Sequence, residues 1–186
     1  MPLIIYKAQN ANMLQFVEFW KKRYFYADEH LYTENIGLEL TEERILSLFL
    51  WKNGTPLSNL KQASVLKNFI ERRQELARLQ PDINAGDFLH HFKDGGAIWR
   101  IFWLHCWKPL RFPIYDQHVH RAMAFIQNGK SEEIPKYDPR KVESYLQRYL
   151  PFHSTFSGID GRDSDKALWA FGKFLNESNF PTITLE

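Results

Sequence analysis

Cysteine is nearly absent from this sequence, because Cys106 is the only one in 186 residues. A single cysteine excludes an internal disulfide and an iron–sulfur cluster held by four cysteines. This usage is typical of a protein kept in a reducing compartment. We therefore expect an intracellular location, in the cytoplasm, the nucleoid or the nucleus.

The sequence also lacks a long apolar run. The longest, residues 97–107, is interrupted by Arg100 and His105 and is too short to cross a bilayer. Residues 1–7 carry no basic segment before their short apolar stretch, so they do not read as a secretory signal. We expect a soluble protein that has no membrane partner.

Neither sign of charge dominates, since 24 Lys and Arg residues stand against 22 Asp and Glu residues. With a formal net charge of +2, any contact with nucleic acid must come from a local basic face. Hydrophobic residues make up 44% of the chain and aromatic residues 16%, which argues against disorder. The length suits one domain or two small helical lobes.

What the sequence does contain is apolar spacing typical of helices, which predicts an all-α fold. The predicted helices cover about residues 12–26, 58–79, 85–92, 97–107 and 164–177, with others that begin at Thr41, Asp116 and Asp138 and end at Gly54, Gly129 and Pro151. Residues 28–40 are polar and irregular, either a mobile loop near a site or a connector. Residues 179–186 are expected to form a strand-like or irregular end. Gly172 would let another helix approach closely.

Asp116 stands at a junction between two helical segments. Pro113 ends the preceding segment, because its ring fixes φ and removes a hydrogen-bond donor. The Asp116 carboxylate can accept hydrogen bonds from the first free N–H groups of the following helix. A helix N-cap is the ordinary role of such an aspartate.

The surrounding pattern suggests a second role. Residues 115–121 read Y-D-Q-H-V-H-R, and they follow a Gly-Gly turn and the apolar segment 97–107. Over residues 41–177 this arrangement resembles the helix-hairpin-helix (HhH-GPD) DNA glycosylase superfamily. The resemblance implies a two-lobed helical fold, with residues 1–40 adding an N-terminal helix and a connector to a single glycosylase-like unit. It also implies that Asp116 is the catalytic carboxylate.

The resemblance places a DNA-binding hairpin at Lys93, Gly95, Gly96 and Ala97. Two glycines permit a tight turn, and the N–H groups at the start of the next helix would face an anion such as a DNA phosphate. The family's hairpin usually reads L-P-G-V-G, whereas this sequence has F-K-D-G-G at residues 92–96. Asp94 would repel a phosphate, which counts against tight DNA binding.

Some members of the family carry a nucleophilic lysine early in the helix after the hairpin, and Ile98 occupies that position here. Only an amine can form an imine with the sugar, so base release without strand cleavage is implied unless Lys93 or Lys108 takes the place of that lysine. The expected partner is double-stranded DNA with a damaged base, bound by a monomer. We expect no cofactor and no metal, because His118 and His120 are two residues apart and point in different directions on a helix.

Other candidate residues have two readings each. Tyr115 and Phe112 are either walls of a base pocket or core residues, and Lys52 and Asn53 either fill the gap left by the extruded base or end a helix. His118 matches the family's histidine, which either makes a structural hydrogen bond, the safer interpretation, or takes part in acid–base chemistry near neutral pH. Arg121 would reach a phosphate or a neighbouring helix. We interpret Trp99, Trp103 and Trp107 as core residues.

Two other classes of function remain open. One is a DNA-binding module without catalysis on the same fold. The other is a helical structural or interaction protein in which Asp116 is only a cap. A cleft beside Asp116 that is open to solvent and lined by aromatic residues favours the enzyme, whereas a buried and fully hydrogen-bonded Asp116 with no cavity favours the last class. A binding module is expected to show a basic surface around Gly95 and Gly96 and no base-sized pocket.

Overall fold

The computed structural model of this protein describes residues 12–177, and the tail at 179–186 lies outside them. Within the described residues the chain forms helices, turns and loops and no strand, which confirms the all-α prediction. None of the helices in this range is both long and apolar enough to span a bilayer.

The chain divides into two compact units. The described part of unit 1 comprises residues 12–25, 113–136 and 147–177, and unit 2 comprises residues 26–112 and 137–146. Unit 1 contains the α-helices α1 (Met13–Trp20), α7 (Gln117–Asn128), α9 (Leu150–Ser154) and α10 (Gly161–Glu177). Unit 2 contains α2 (Glu29–Thr33), α3 (Glu42–Asn53), α4 (Asn59–Val65), α5 (Ala85–His91), α6 (Ala97–Trp107) and α8 (Asp138–Ser144).

Several helices begin and end at the capping residues that the sequence predicted. Thr41 accepts a hydrogen bond from the N–H of Arg44 at the start of α3, and Asp116 caps α7. Gly54 and Gly129 end these two helices with φ of 71° and 69°, a backbone conformation that glycine adopts without strain. The prediction for α6 is confirmed at both ends.

The continuous helix predicted over residues 58–79 is wrong. After α4 the chain widens into a π-helical turn, Leu66–Ile70, and then narrows into a 3-10 helix, Arg73–Arg78. Leu60 and Leu66 are 85% and 43% exposed, so they do not form the buried stripe that the spacing suggested. Phe69, which the spacing placed in the same stripe, is buried as predicted, and its ring would lie 2.8 Å from a Cβ at Gly95. Packing against the hairpin therefore overrides the regular helical period.

Three other expectations need correction. Asp138 is the first residue of α8 and not its N-cap, which is Tyr137. Pro151 lies in the first turn of α9, where a proline is tolerated, and does not end a helix. The segment 28–40 contains the short helix α2, and Tyr32 within it is buried.

The core of unit 2 is built from aromatic side chains of α3 and α6. Trp103 is fully buried, and the ring of Phe49 lies 4.5 Å from that of Phe69 between centroids. Trp99 packs edge-on against Phe49, and Trp107 stacks on Phe88 at 5.3 Å. The three tryptophans of α6 are therefore packing residues, as the sequence suggested.

In unit 1, α7 and α10 approach so closely that only glycine fits at the contact. A Cβ built on Gly172 would lie 1.8 Å from the carbonyl oxygen of His118, well inside van der Waals contact. The first turn of α7, which carries His118, is thereby held directly against the backbone of α10.

We predict that Gly172→Ala destabilises the protein, because α7 and α10 must separate to admit the methyl group. Overpacking of this kind costs about 1–3 kcal/mol in the free energy of unfolding, measured by urea denaturation. Gly161→Ala is the matched control, since a Cβ there meets nothing within 4 Å. A loss of stability no larger in Gly172→Ala than in the control would contradict this packing.

Candidate functional site

Asp116 holds its carboxylate at the start of α7. Its Oδ1 accepts hydrogen bonds from the N–H groups of His118 (2.9 Å) and Val119 (3.0 Å). The residue is partly exposed and follows the buried run 112–115. The N-terminal end of a helix dipole favours a negative charge at this position. The two hydrogen bonds therefore fix the orientation of this carboxylate at the start of α7.

His118 and Arg121 lie beside this carboxylate on α7. Burial lowers the pKa of His118, opposed by the negative charge of Asp116, so the imidazole is neutral at pH 7. The Nη1 of Arg121 lies 3.4 Å from Nδ1 of His118 and donates to the carbonyl of Gly172 at 3.3 Å. Its Nη2 donates to Glu133 at 2.9 Å. Arg121 is buried and acts as a partner of α10.

The two aromatic candidates are core residues of different units. Tyr115 is fully buried in unit 1, where its hydroxyl lies 2.7 Å from Nδ1 of His120 and its ring centroid 5.1 Å from that of Tyr149. Phe112 is buried in unit 2, and its carbonyl accepts a hydrogen bond from Nδ1 of His105. Burial of both rings favours the core reading over that of base-pocket walls.

The hairpin lies in unit 2 between α5 and α6. Gly95 and Gly96 have φ of 96° and 85°, so both use the conformational freedom that the sequence suggested. The N–H of Ala97 donates to Oδ2 of Asp138 at 2.9 Å, and Nζ of Lys141 donates to Oδ1 of the same carboxylate at 2.8 Å. An internal carboxylate thus occupies the place where a phosphate was expected.

Asp138 also supports the buried Arg100 on α6. Burial lowers the pKa of this guanidinium, and the negative charges of Asp138 and Asp94 oppose that shift. Sequence reasoning missed this role, because an aspartate before a proline reads as a local helix cap. No spacing rule links residue 138 to residue 97, so the signal exists only in the tertiary structure.

Lys93 is exposed in the hairpin turn. The side-chain amide of Asn53, at the end of α3, donates to the carbonyl of Thr55 in the following loop at 2.7 Å and accepts a hydrogen bond from Nζ of Lys61 on α4 at 2.7 Å. Gly54 fills the C-cap position. Nζ of Lys52 lies 5.7 Å from the ring centroid of Phe102, within cation–π range.

The candidate residues divide between the units. Asp116, His118, Arg121 and Tyr115 belong to unit 1, and its geometry brings them together around the first turn of α7. Unit 2 holds the rest: Lys52, Asn53, Lys93, Gly95, Gly96, Ala97 and Phe112.

The described residues form an all-α protein in which the partly exposed Asp116 lies at the start of a helix. No family model matches the chain, no curated protein matches it, and no solved structure matches it.

We predict that Asp138 contributes stability that is lost in acid. The hydrogen bond from Lys141, followed by that from the Ala97 amide, lowers the pKa of this carboxyl below its ordinary value. A lowered folded-state pKa means that the stabilisation is present above about pH 4 and is lost as the pH falls through the folded-state value. Asp138→Asn should therefore weaken the fall in stability below about pH 4 in urea titrations, by at most about 1 kcal/mol for so exposed a group.

The matched control is Glu143→Gln, which removes an exposed carboxylate of the same helix, paired with Arg140 at 2.6 Å. It should change the acid dependence less than Asp138→Asn does. Identical acid profiles for the Asp138→Asn variant and the native protein would show that the cap on α6 carries no net electrostatic stabilisation.

Proposed function

We propose that this protein is a monofunctional DNA glycosylase-like enzyme that hydrolyses the N-glycosidic bond of a damaged base extruded from double-stranded DNA. The observation that carries the proposal is Asp116, a partly exposed carboxylate anchored by two backbone N–H groups. It lies within the sequence Y-D-Q-H-V-H-R, after a hairpin with two glycines of positive φ and a buried helix.

Hydrolysis of the N-glycosidic bond requires one carboxylate beside the sugar. Breaking the bond between the base and the sugar builds positive charge on the sugar ring, which a nearby carboxylate stabilises. The same carboxylate can position a water molecule or accept its proton. Because Oδ1 of Asp116 accepts hydrogen bonds from two N–H groups of the helix, the carboxylate is held in one orientation.

Ile98 supports the monofunctional form of the proposal. It lies in the first turn of α6, where related enzymes that cut the strand carry a lysine. An aliphatic side chain cannot attack the sugar as an amine, so water is the remaining nucleophile. The neutral His118 beside Asp116 adds no positive charge that would oppose the developing cation on the sugar.

The proposal predicts base release from at least one member of a panel of duplexes with alkylated, oxidised or deaminated bases. Release should occur without direct strand cleavage, and Asp116→Asn should lower its rate by about 100-fold or more, because the transition-state charge loses its partner. Released bases are measured by chromatography, and strand cleavage is measured before any alkaline treatment.

Asp160→Asn is the matched control. The side chain of Asp160 accepts a hydrogen bond from the N–H of Asp163 at 3.0 Å near the start of α10, so it is also a capping aspartate of unit 1. Asparagine caps a helix about as well as aspartate does, and both variants should unfold at nearly the native urea concentration. Equal rates of base release by the native protein and by Asp116→Asn would show that Asp116 takes no part in the reaction.

The second candidate function is that of a helical interaction protein. The hydrogen bond from Ala97 to Asp138 favours it, because this internal carboxylate occupies the expected phosphate position of the hairpin. Absence of both base release and DNA binding would support this candidate. DNA binding without release from any duplex would instead indicate a binding module on the same fold.

A further inference from the structure

The carboxylate of Asp138 lies at the N-terminal end of α6, in the position that an external anion would take. Its Oδ2 accepts a hydrogen bond from the N–H of Ala97 at 2.9 Å, and its Oδ1 accepts one from Nζ of Lys141 at 2.8 Å. Oδ2 is also 3.8 Å from the position that a Cβ on Gly96 would occupy. A helix N-terminus favours a negative group here, and the chain supplies that group itself.

A buried cation lies within electrostatic reach of the same position. Arg100, in the first turn of α6, is 9% exposed, and its Nε has no hydrogen-bond partner among the described residues. Its Nη1 donates to the neutral carbonyl of Leu89 at 3.3 Å. Burial lowers the pKa of this guanidinium, and the negative charge of Asp138 opposes that shift more strongly than that of Asp94 does. Asp138 therefore compensates a cation that has donor capacity to spare.

Asp138 is held by contacts that another anion can replace. Its side chain is 43% exposed and pairs with Lys141 three residues along α8, and exposed pairs of this kind contribute little to stability. Because Asp138 is the first residue of α8, rotation about its side-chain bonds releases both oxygens without moving the helix. The N–H of Ala97 and the ammonium of Lys141 then become donors to an external ligand.

The local charge determines how strongly a phosphate is attracted. The cations Lys93, Arg100 and Lys141 stand against two carboxylates, Asp94 and Asp138. Three cations and two carboxylates leave a balance of one positive charge. Without the charge of Asp138 the balance rises to two, which strengthens the attraction to a phosphate backbone.

We infer that Asp138 is an internal competitor for DNA, which holds the phosphate position of the hairpin and lowers the affinity of the protein for the DNA backbone. This inference rests on the proposed function and gives the hairpin contact a regulation within unit 2. The two non-bridging oxygens of a DNA phosphate share one negative charge, as the two oxygens of a carboxylate do. Such a phosphate can therefore accept hydrogen bonds from Ala97 and Lys141 in place of Asp138. The contact reads charge and not base sequence.

The test is binding of an undamaged duplex by the full chain, measured by fluorescence anisotropy over a range of salt concentrations. Asp138→Asn keeps the size of the side chain and removes its charge. It should bind DNA more tightly by up to about 8-fold at roughly 0.1 M salt, because one further phosphate contact is gained. The slope of log Kobs against log salt should grow in magnitude by up to about 0.9.

Glu143→Gln is the matched control, because it removes the same charge from an exposed position of α8. It should change both the affinity and the slope much less than Asp138→Asn does. Equal affinities of the two variants for DNA would overturn the inference.

Lys141→Gln tests whether Asp138 acts at this position or only through its charge at a distance. With glutamine at residue 141, the gain from Asp138→Asn should fall to about 2-fold or less, because the two residues act on the same phosphate. An undiminished gain would overturn the inference. Urea unfolding of each variant checks the fold, and partial unfolding would weaken binding, so it could not produce the expected gain.

Base release by the same proteins separates this inference from the proposed function. Release by the native protein, with equal DNA binding by Asp138→Asn and Glu143→Gln, would overturn the internal competitor and leave the function intact. Tighter binding by Asp138→Asn, without release from any duplex, would support the competitor and contradict the catalytic proposal. Binding of inorganic phosphate by Asp138→Asn, with an unchanged affinity for DNA, would overturn DNA as the ligand.

Discussion

The contact between Gly172 and the His118 carbonyl is the constraint on which the architecture of unit 1 depends. Because a Cβ at Gly172 would come within 1.8 Å of that oxygen, α10 lies against the first turn of α7 with no side chain between them. Arg121 strengthens the contact by donating to the Gly172 carbonyl. The orientation of Asp116 follows, because its carboxylate is tied to the N–H groups of the turn that α10 holds in place.

The same constraint places an aromatic ring beside the first turn of α7. The ring centroids of Trp169, on α10, and His118 lie 5.2 Å apart. Because the N–H of His118 also donates to Oδ1 of Asp116, the residue that packs on α10 is the one that orients the proposed catalytic carboxylate.

Unit 2 shows a different solution at a helix N-terminus. The first N–H group of α6 is satisfied by Asp138, which is distant in sequence and also receives a hydrogen bond from Lys141. That carboxylate stabilises α6 and offsets the charge of the buried Arg100. A hairpin that binds phosphate keeps its N–H groups free for that ligand. In this chain the N–H of Ala97 already donates to the internal carboxylate of Asp138.

The sequence by itself determined the helical class, the bounds of α6, the caps at Thr41 and Asp116 and the stops at Gly54 and Gly129. Those features depend on neighbouring residues, through hydrogen bonds and backbone freedom that act over one turn. Only the tertiary structure decided the π-helical turn at residues 66–70, the burial of Tyr115 and Phe112, the link from Asp138 to Ala97 and the grouping of Tyr24 with α10. Each of these joins residues far apart in the chain, and side-chain packing selects such pairs in ways that no local period records.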